Sequence, residues 1–387
     1  MSIFSDMTTV YLIRHAEAEG NLYRRIHGQY DSLLTETGKR QASALAERFR
    51  DIPLSAVYTS DLFRAEQTAK ALCSLQGIEP KKDRRLREQG VGEWEDVCYG
   101  WAEQFQPEEL KRYVSGSEAF SVEGAEAPSH AARRFLAVLR ESAARHEGQA
   151  IALVTHSMIL SCSLRTLFPD LVLPRSDNTG VTTLQYSGGT FSLISAGDCS
   201  HLSKEISTYE RQRWWRESGR SAEFNLWFRP YDLAREPFLS MREDAWAGIY
   251  GSTMGLDGEG FYQELLNICH YHPDAAAYAM LGDRTVGFIQ LMPAKDRLLG
   301  CGHISFVYLI PEERNKGLGP QLIGYATSVF RRKNRKKLQL LVAPQNAHAL
   351  HVYEKLGFQK VGNQPGRFND LYLMRKRIDP ASEKISW

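Results

Sequence analysis

Val10-Tyr11-Leu12-Ile13-Arg14-His15-Ala16-Glu17 opens with four apolar residues, β-branched and aromatic among them, and turns at once to an arginine and a histidine. Such a run reads as a buried strand, and the reactive side chains of open α/β sheets stand just beyond the carboxyl ends of strands. Arg14 and His15 are therefore expected at a sheet edge, facing a cleft. The arrangement recurs in Ile151-Ala152-Leu153-Val154-Thr155-His156-Ser157, a second apolar run closed by a histidine. Between the two, residues 54–60 read as another strand, and Asp61 or Ser60 is placed to cap a helix that contains Arg64. One histidine after one strand would be an ordinary packed side chain. An ordered set of two histidines and two arginines asks for an anion, because a planar, permanently charged fork can hold two phosphoryl oxygens and buried arginines without an anion are costly.

With Asn21 and the segment from Ser60 to Ala69, these motifs make residues 8–197 resemble the histidine phosphatase, or phosphoglycerate mutase-like, superfamily. The resemblance implies a three-layer α/β/α fold and a phosphoryl transfer in which neutral His15 attacks phosphorus and becomes a phosphohistidine. It implies that Arg14, Arg64 and His156 stabilise the transferring group, and that Glu88, in Leu86-Arg87-Glu88, protonates the leaving oxygen with a raised pKa. The polar, Gly-containing stretch from Tyr23 to Gly38 corresponds to a loop with substrate contacts, which makes Asn21, Arg24 and His27 substrate-binding candidates; Arg25 fits a solvated basic face at least as well. Ser157 stands where the family often has Gly, and either adds a hydrogen bond to substrate or fills space. Glu93 and Glu95 read as surface charge. Helices are expected at 38–50, 105–112 and 131–145, the last with Phe135, Leu136 and Leu139 as its apolar stripe. No Asp/Glu/His spacing suggests a metal.

A chain of 387 residues is long for one domain. Forty-eight basic against 46 acidic residues leave a net charge of +2, which gives no general pull toward nucleic acid or membrane. The first nine residues lack the basic start and apolar core of a signal peptide, and no apolar run is long enough to span a bilayer, so a cytoplasmic protein is expected. Six scattered cysteines without a Cys-x-x-Cys pair read as reduced packing thiols.

The pattern changes after residue 200. Lys204 to Arg216 is dense in charge and reads as a connecting helix, with Trp214 and Trp215 docking it onto a domain. From Phe224 a second α/β pattern begins. Residues 276–281, 286–292 and 303–310 read as an antiparallel meander with Gly282-Asp283 as a hairpin turn. Then come Arg314-Asn315-Lys316-Gly317-Leu318-Gly319 and Pro320, the start of a helix. A strand, a loop with two glycines and a helix N-terminus form a device for pyrophosphate, because bare amides and the helix dipole attract anionic oxygens. With residues 338–342 and Asn346 to Phe358, this makes residues 223–378 resemble the GNAT acetyltransferases, which use acetyl-CoA.

The resemblance implies that Arg314, Asn315, Lys316, Gly317, Leu318 and Gly319 hold the pyrophosphate of acetyl-CoA, that the Leu309 backbone pairs with its pantetheine arm, that Asn346 also contacts it, and that Tyr353 protonates the departing thiolate. His303 and Ser305 lie on the strand before the loop, but the acidic residue that some members carry there is absent, so the general base stays open. The basic run Arg331 to Lys337 ends a helix, as the dipole favours, and has no interleaved aromatics to suggest nucleic acid. The expected architecture is thus α/β throughout: a histidine phosphatase domain at 1–200, a helical linker at 201–222 and a mixed α/β GNAT domain at 223–387. The expected function is hydrolysis of a small-molecule phosphate ester and acetylation of an amine, without nucleic acid or membrane as partner. A ligand-sensing role for one domain and a phosphomutase activity are the alternatives.

Overall fold

The computed structural model describes residues 7–174, 176–212, 224–366, 368–382 and 385. The chain forms two units, one of residues 1–97, 105–218 and 384–387, the other of residues 98–104 and 219–383.

The first unit is built on a six-stranded sheet of β1 (Thr8–Arg14), β2 (Ala56–Thr59), β3 (Lys81–Lys82), β4 (Ala150–Thr155), β5 (Val181–Ser187) and β6 (Thr190–Asp198), in the order β3-β2-β4-β1-β5-β6. The pairs β1–β4, β2–β4 and β2–β3 are parallel, and β5 and β6 add antiparallel strands. Alternation along the central strands divides the core. Val10, Leu12, Ile151 and Leu153 face the helices Pro128–Arg145 and Ser157–Leu167, whereas Ile13, Ala152 and Val154 face Glu36–Arg48 and Phe63–Ser74. Covering both faces explains why these strands read as unbroken apolar runs. The result is a three-layer α/β/α fold, as expected.

Several local expectations shift. The helix expected at 38–50 with Thr35 and Glu36 at its start is Glu36–Arg48; Thr35 caps it by accepting from the Gly38 amide at 2.9 Å, and it ends two residues earlier than expected. The expected 105–112 helix is Pro107–Ser115, with the proline in its first turn, where a missing N–H is harmless. Neither Ser60 nor Asp61 is the N-cap of the helix carrying Arg64; Leu62 is, and Asp31 accepts from the Phe63 amide at 2.8 Å while Asp61 pairs with Arg87 at 2.6 Å. The connecting helix is short in the described residues, Thr208–Arg211, because Ser207 caps it and donates to buried Asp177. Residues 201–212 group with the first unit; Trp214 and Trp215 lie outside the described residues.

The second unit has a seven-stranded sheet of β7 (Trp227–Pro230), β8 (Ala276–Leu281), β9 (Arg284–Met292), β10 (Cys301–Leu309), β11 (Lys337–Val342), β12 (Gln359–Gln364) and β13 (Leu371–Arg377). Its order is β12-β13-β11-β10-β9-β8-β7. β10 and β11 pair in parallel only from Cys301 to Ile304; beyond that, a bulge between Ile304 and Phe306 lets β10 continue beside β9 alone. The β11-facing side of β10 after the bulge therefore has no strand beside it among the described residues. The helices Arg235–Tyr250 and Gly258–Tyr271 supply Phe238, Leu239, Phe261 and Leu265 to an aromatic-rich core with Phe288, Phe306 and Tyr308, and Phe330 of Gly319–Arg332 packs against Gly302. The second unit is thus a mixed α/β fold, as expected.

The six cysteines are free thiols, Cys199 and Cys269 half-buried and the rest buried. Among the described residues no helix is long and apolar enough to cross a membrane, and no group of three or more His, Cys, Asp or Glu could hold a metal ion.

Candidate active sites

Strand register assembles the first site. Arg14 pairs with Thr155 across parallel β1 and β4, so the residues that follow, His15 and His156, emerge side by side. Their ring centroids are 5.1 Å apart, close to the spacing of neighbouring strands. One strand further on, Thr59 pairs with Val154, and the next residue, Ser60, reaches Nε2 of His156 at 2.9 Å.

His15 is buried, and its Nδ1 lies 2.7 Å from the Ala16 carbonyl. A carbonyl only accepts, so Nδ1 carries the proton and Nε2 is left with a free lone pair. Burial, then Arg64 and Arg14, hold the imidazole well below its usual pKa, so it is neutral at pH 7. His156 is likewise held neutral, by burial and by Arg64, and its Nδ1 has no partner among the described residues.

Both arginines are buried and make no ion pair among the described residues. Arg14 donates to the Ser176 carbonyl at 2.7 Å, and its Nε is unpartnered. Arg64 donates to the carbonyls of Tyr30, Gly28 and His27 at 2.9, 2.7 and 3.2 Å. Neutral carbonyls satisfy donors without pairing either guanidinium with a carboxylate among the described residues; Asp31, Glu88 and Glu95 act on Arg64 without an ion pair, beside two neutral imidazoles. That combination favours a dianion.

Glu88 stands at the start of the helix Ser157–Leu167. Its carboxyl accepts from the amides of Met158, Ile159 and Gln89 at 3.0, 2.8 and 2.9 Å. Burial raises its pKa; the three amide bonds and Arg64 oppose this without cancelling it. Ser157, half-buried, is the first residue of the same helix.

The other predicted substrate residues divide. Asn21 turns inward: its Oδ1 accepts from the Ala18 amide at 3.0 Å, and Asn178 reaches it at 3.4 Å. Arg24 is buried, with a left-handed φ of 55°. Arg25 is no solvated face, because it pairs with Asp96 at 2.6 Å; His27 contacts the same oxygen at 3.2 Å. Burial raises the Asp96 pKa, but Arg25 and His27 outweigh it and hold the group well below the carboxylate range. Glu95 is not surface charge either. It accepts from the amides of Gln29, Tyr30 and Val91 at 2.8, 2.6 and 3.2 Å and so pins the loop over Arg64; a Cβ on Gly28 would come within 2.4 Å of it. Glu93 is exposed, as predicted.

Sequence reasoning missed Ser60 as a partner of His156, and Asn178, whose Nδ2 donates to the His15 carbonyl at 3.0 Å. The polar run Ser176 to Gly180 before β5 was the only signal for Asn178, and nothing local ties it to His15.

In the second unit, Arg314 to Gly319 curl between β10 and the helix Gly319–Arg332, with left-handed φ of 63° at Asn315 and 82° at Gly317. The amides of Asn315 to Gly319 make no hydrogen bond to a described residue, and Leu318, buried, starts the helix without a side-chain cap. Free amides at an uncapped helix N-terminus are the donor set a pyrophosphate needs, and the edge of β10 after the bulge offers backbone groups to an extended arm. Acetyl-CoA fits this donor set.

Arg314 donates to the Leu309 carbonyl at 2.9 Å and to Asp244 at 2.7 Å, and Lys316 pairs with Glu313 at 3.0 Å. Asn346 caps its helix by accepting from the Ala349 amide at 3.1 Å. Tyr353 packs beside Phe358, and burial pushes its hydroxyl up to about 12. His303 is buried; burial and Lys295, against Asp296, bring it down to about 4. Ser305, half-exposed, lies at the bulge.

The comparisons agree with this division. The family model "Histidine phosphatase superfamily (branch 1)" matches residues 10–199, and "Acetyltransferase (GNAT) family" matches residues 231–358. Proteins named "Probable phosphoglycerate mutase GpmB" from Yersinia pestis (strain Pestoides F) and Yersinia pseudotuberculosis serotype O:1b are each 36% identical over 211 residues, spanning 51% of this chain and 95% of theirs. Among solved structures, Bacillus stearothermophilus YhfR is similar at 31% identity over 51% of this chain and 100% of its own, with a TM-score of 0.49.

Proposed function

We propose, for a chain that belongs to the histidine phosphatase superfamily through residues 10–199 and carries a GNAT acetyltransferase domain at residues 231–358, two consecutive reactions on one small phosphorylated amino metabolite. One, in a domain of residues 1–200, is phosphomonoester hydrolysis through a phosphohistidine at His15. The other, in a domain of residues 223–387 reached through residues 201–222, is acetyl-CoA-dependent N-acetylation, and either can come before the other.

The observation that carries the first reading is a neutral His15, with its lone pair on Nε2, 5.1 Å from His156 and in the field of two buried arginines that make no ion pair among the described residues. In this reading Nε2 forms a bond to phosphorus as the ester P–O bond breaks. Glu88 passes its proton to the departing alkoxide, and Arg14, Arg64 and His156 hold the equatorial oxygens. Water then attacks phosphorus, Glu88 recovers a proton, and the P–N bond breaks to restore the lone pair. Asn21, Arg24, His27 and Ser157 shape the mouth of the site. The purified chain releasing phosphate from an aryl phosphate ester tests this.

Glu88 also sets a pH dependence. Its raised pKa keeps it protonated at pH values where an ordinary glutamate, at 4.5, has ionised, so the proton donor is lost only as pH rises through the raised value. The kcat profile is expected to fall on its basic side, and Glu88→Gln to lower kcat by about 10²-fold and remove that limb. A basic limb unchanged in the variant would reject the role.

The name of the relatives favours a second reading, a phosphomutase, in which the phosphohistidine returns its group to another oxygen of the same substrate. Labelled water separates the two: hydrolysis puts the label in free phosphate, mutase turnover leaves it in solvent.

For the second reaction, acetyl-CoA supplies an activated acetyl group. The amides from Asn315 to Gly319 bind its diphosphate, the edge of β10 ending at Leu309 orients its arm, and Arg314, Lys316 and Asn346 lie alongside. Tyr353, protonated at neutral pH, holds the proton for the leaving sulfur. Tyr353→Phe is therefore expected to lower acetyltransfer kcat by about 10- to 100-fold with little change in acetyl-CoA affinity by calorimetry. An unchanged kcat would return Tyr353 to core packing.

A further inference from the structure

Arg242, on the helix Arg235–Tyr250, makes no ion pair with a carboxylate among the described residues. Its guanidinium carbon lies 4.0 Å from the ring centre of Phe306, 4.4 Å from Phe261 and 5.4 Å from Phe238. Its one hydrogen bond among the described residues is to the Gln290 side-chain oxygen, at 2.8 Å. Nε of Arg242 and Nε2 of Gln290 are both buried and both without a partner among the described residues. Burial brings the guanidinium down to about 10, so it remains charged at neutral pH; the exposed Glu264 is the one charged group that opposes this shift.

Packing alone does not account for the cluster. Three aromatic faces stabilise a cation, yet they leave N–H donors unsatisfied. Two unpaired buried donors on groups already in contact call for an acceptor, and the positive charge selects an anionic one.

Position supplies the rest. Gln290 and Phe306 are cross-strand partners on β9 and β10. Two residues further along β10, Tyr308 donates to Asp244 at 2.8 Å, and Asp244 also binds Arg314 of the pyrophosphate loop. The cluster thus lies on the same strand as the proposed acetyl-CoA arm, one strand repeat back, or roughly 7 Å. Arg242 and Phe261 are half-buried, which puts it at a wall of the core.

We propose that Arg242 and Gln290 form the oxyanion-binding end of the acetyl-acceptor site, so that the amine acetylated by this domain carries a carboxylate or phosphoryl group. The proposal rests on the acetyltransferase reading above.

The full chain with acetyl-CoA would be assayed against a carboxylated amine and its amide, and against a phosphorylated amine and the corresponding alcohol. Wild-type kcat/KM is expected to favour the anionic member of at least one pair by on the order of 10- to 100-fold. Which pair responds identifies the oxyanion. In Arg242→Met that ratio should collapse toward unity, and Arg242→Lys should restore part of it. Wild-type protein that prefers neither anion, or a variant that loses both members of a pair equally, overturns the proposal. If acetyl-CoA binds but no amine of either charge is acetylated, the transferase reading has failed. Titrating the acetyl-CoA-loaded protein with the same pairs then decides the oxyanion site alone: tighter binding of the anion that Arg242→Met abolishes supports it, and equal binding overturns it.

Discussion

His15→Ala is expected to abolish phosphomonoester hydrolysis, with a loss on the order of 10⁴-fold or more in kcat. In this reading Nε2 is the atom that bonds to phosphorus, and deleting a nucleophile removes the route rather than one stabilising contact. The substitution should not unfold the protein. His15 is held in place by one side-chain bond, to the Ala16 carbonyl, and burial disfavours its charged form, so alanine leaves no buried charge behind. Quenching the wild type during turnover with alkali or SDS, which preserve the acid-labile P–N bond, should trap label from a phosphate ester on the protein, and none on His15→Ala. Hydrolysis at the wild-type rate in the variant would reject the assigned nucleophile.

Arg64→Met is expected to be nearly as damaging, about 10³-fold in kcat, because a guanidinium facing a transferring phosphoryl group acts in a site where water is excluded. The loss in kcat/KM should exceed the loss in kcat, since the dianion is also bound in the ground state. Stability is pulled both ways. Removing a buried cation relieves desolvation, whereas the carbonyls of His27, Gly28 and Tyr30 lose their donor. Arg64→Lys keeps the charge and gives up the fork, and should fall between wild type and Arg64→Met. Full activity in the lysine variant would mean that charge alone suffices and the fork is not needed, and full activity in Arg64→Met would mean that Arg64 serves only to hold the loop.

Long-range order was readable where one periodicity governed it. The apolar runs before His15 and His156, the helices that cover them, and the meander leading into Arg314 to Gly319 are local patterns, and the two folds and their main motifs followed from them. Departures cluster at polar residues whose partners are far away in sequence. Glu95 and Glu93 are two positions apart in one acidic stretch, yet Glu95 holds three amides and Glu93 is exposed. Arg25 and Arg24 are neighbours, but only the approach of Asp96, 71 residues away, reveals what the first one does. A carboxylate that closes a distant turn has the same local pattern as one that faces water.

The sequence alone determined the strands, the two motif sets and the order in which the reactive residue types occur, because each depends on spacing within a dozen residues. Tertiary structure alone decided that parallel register sets His15 beside His156, that the Ala16 carbonyl leaves the lone pair on Nε2, and that Arg242 faces three rings. Those facts depend on which strands become neighbours and on which charges lose water, and both are properties of the packed chain.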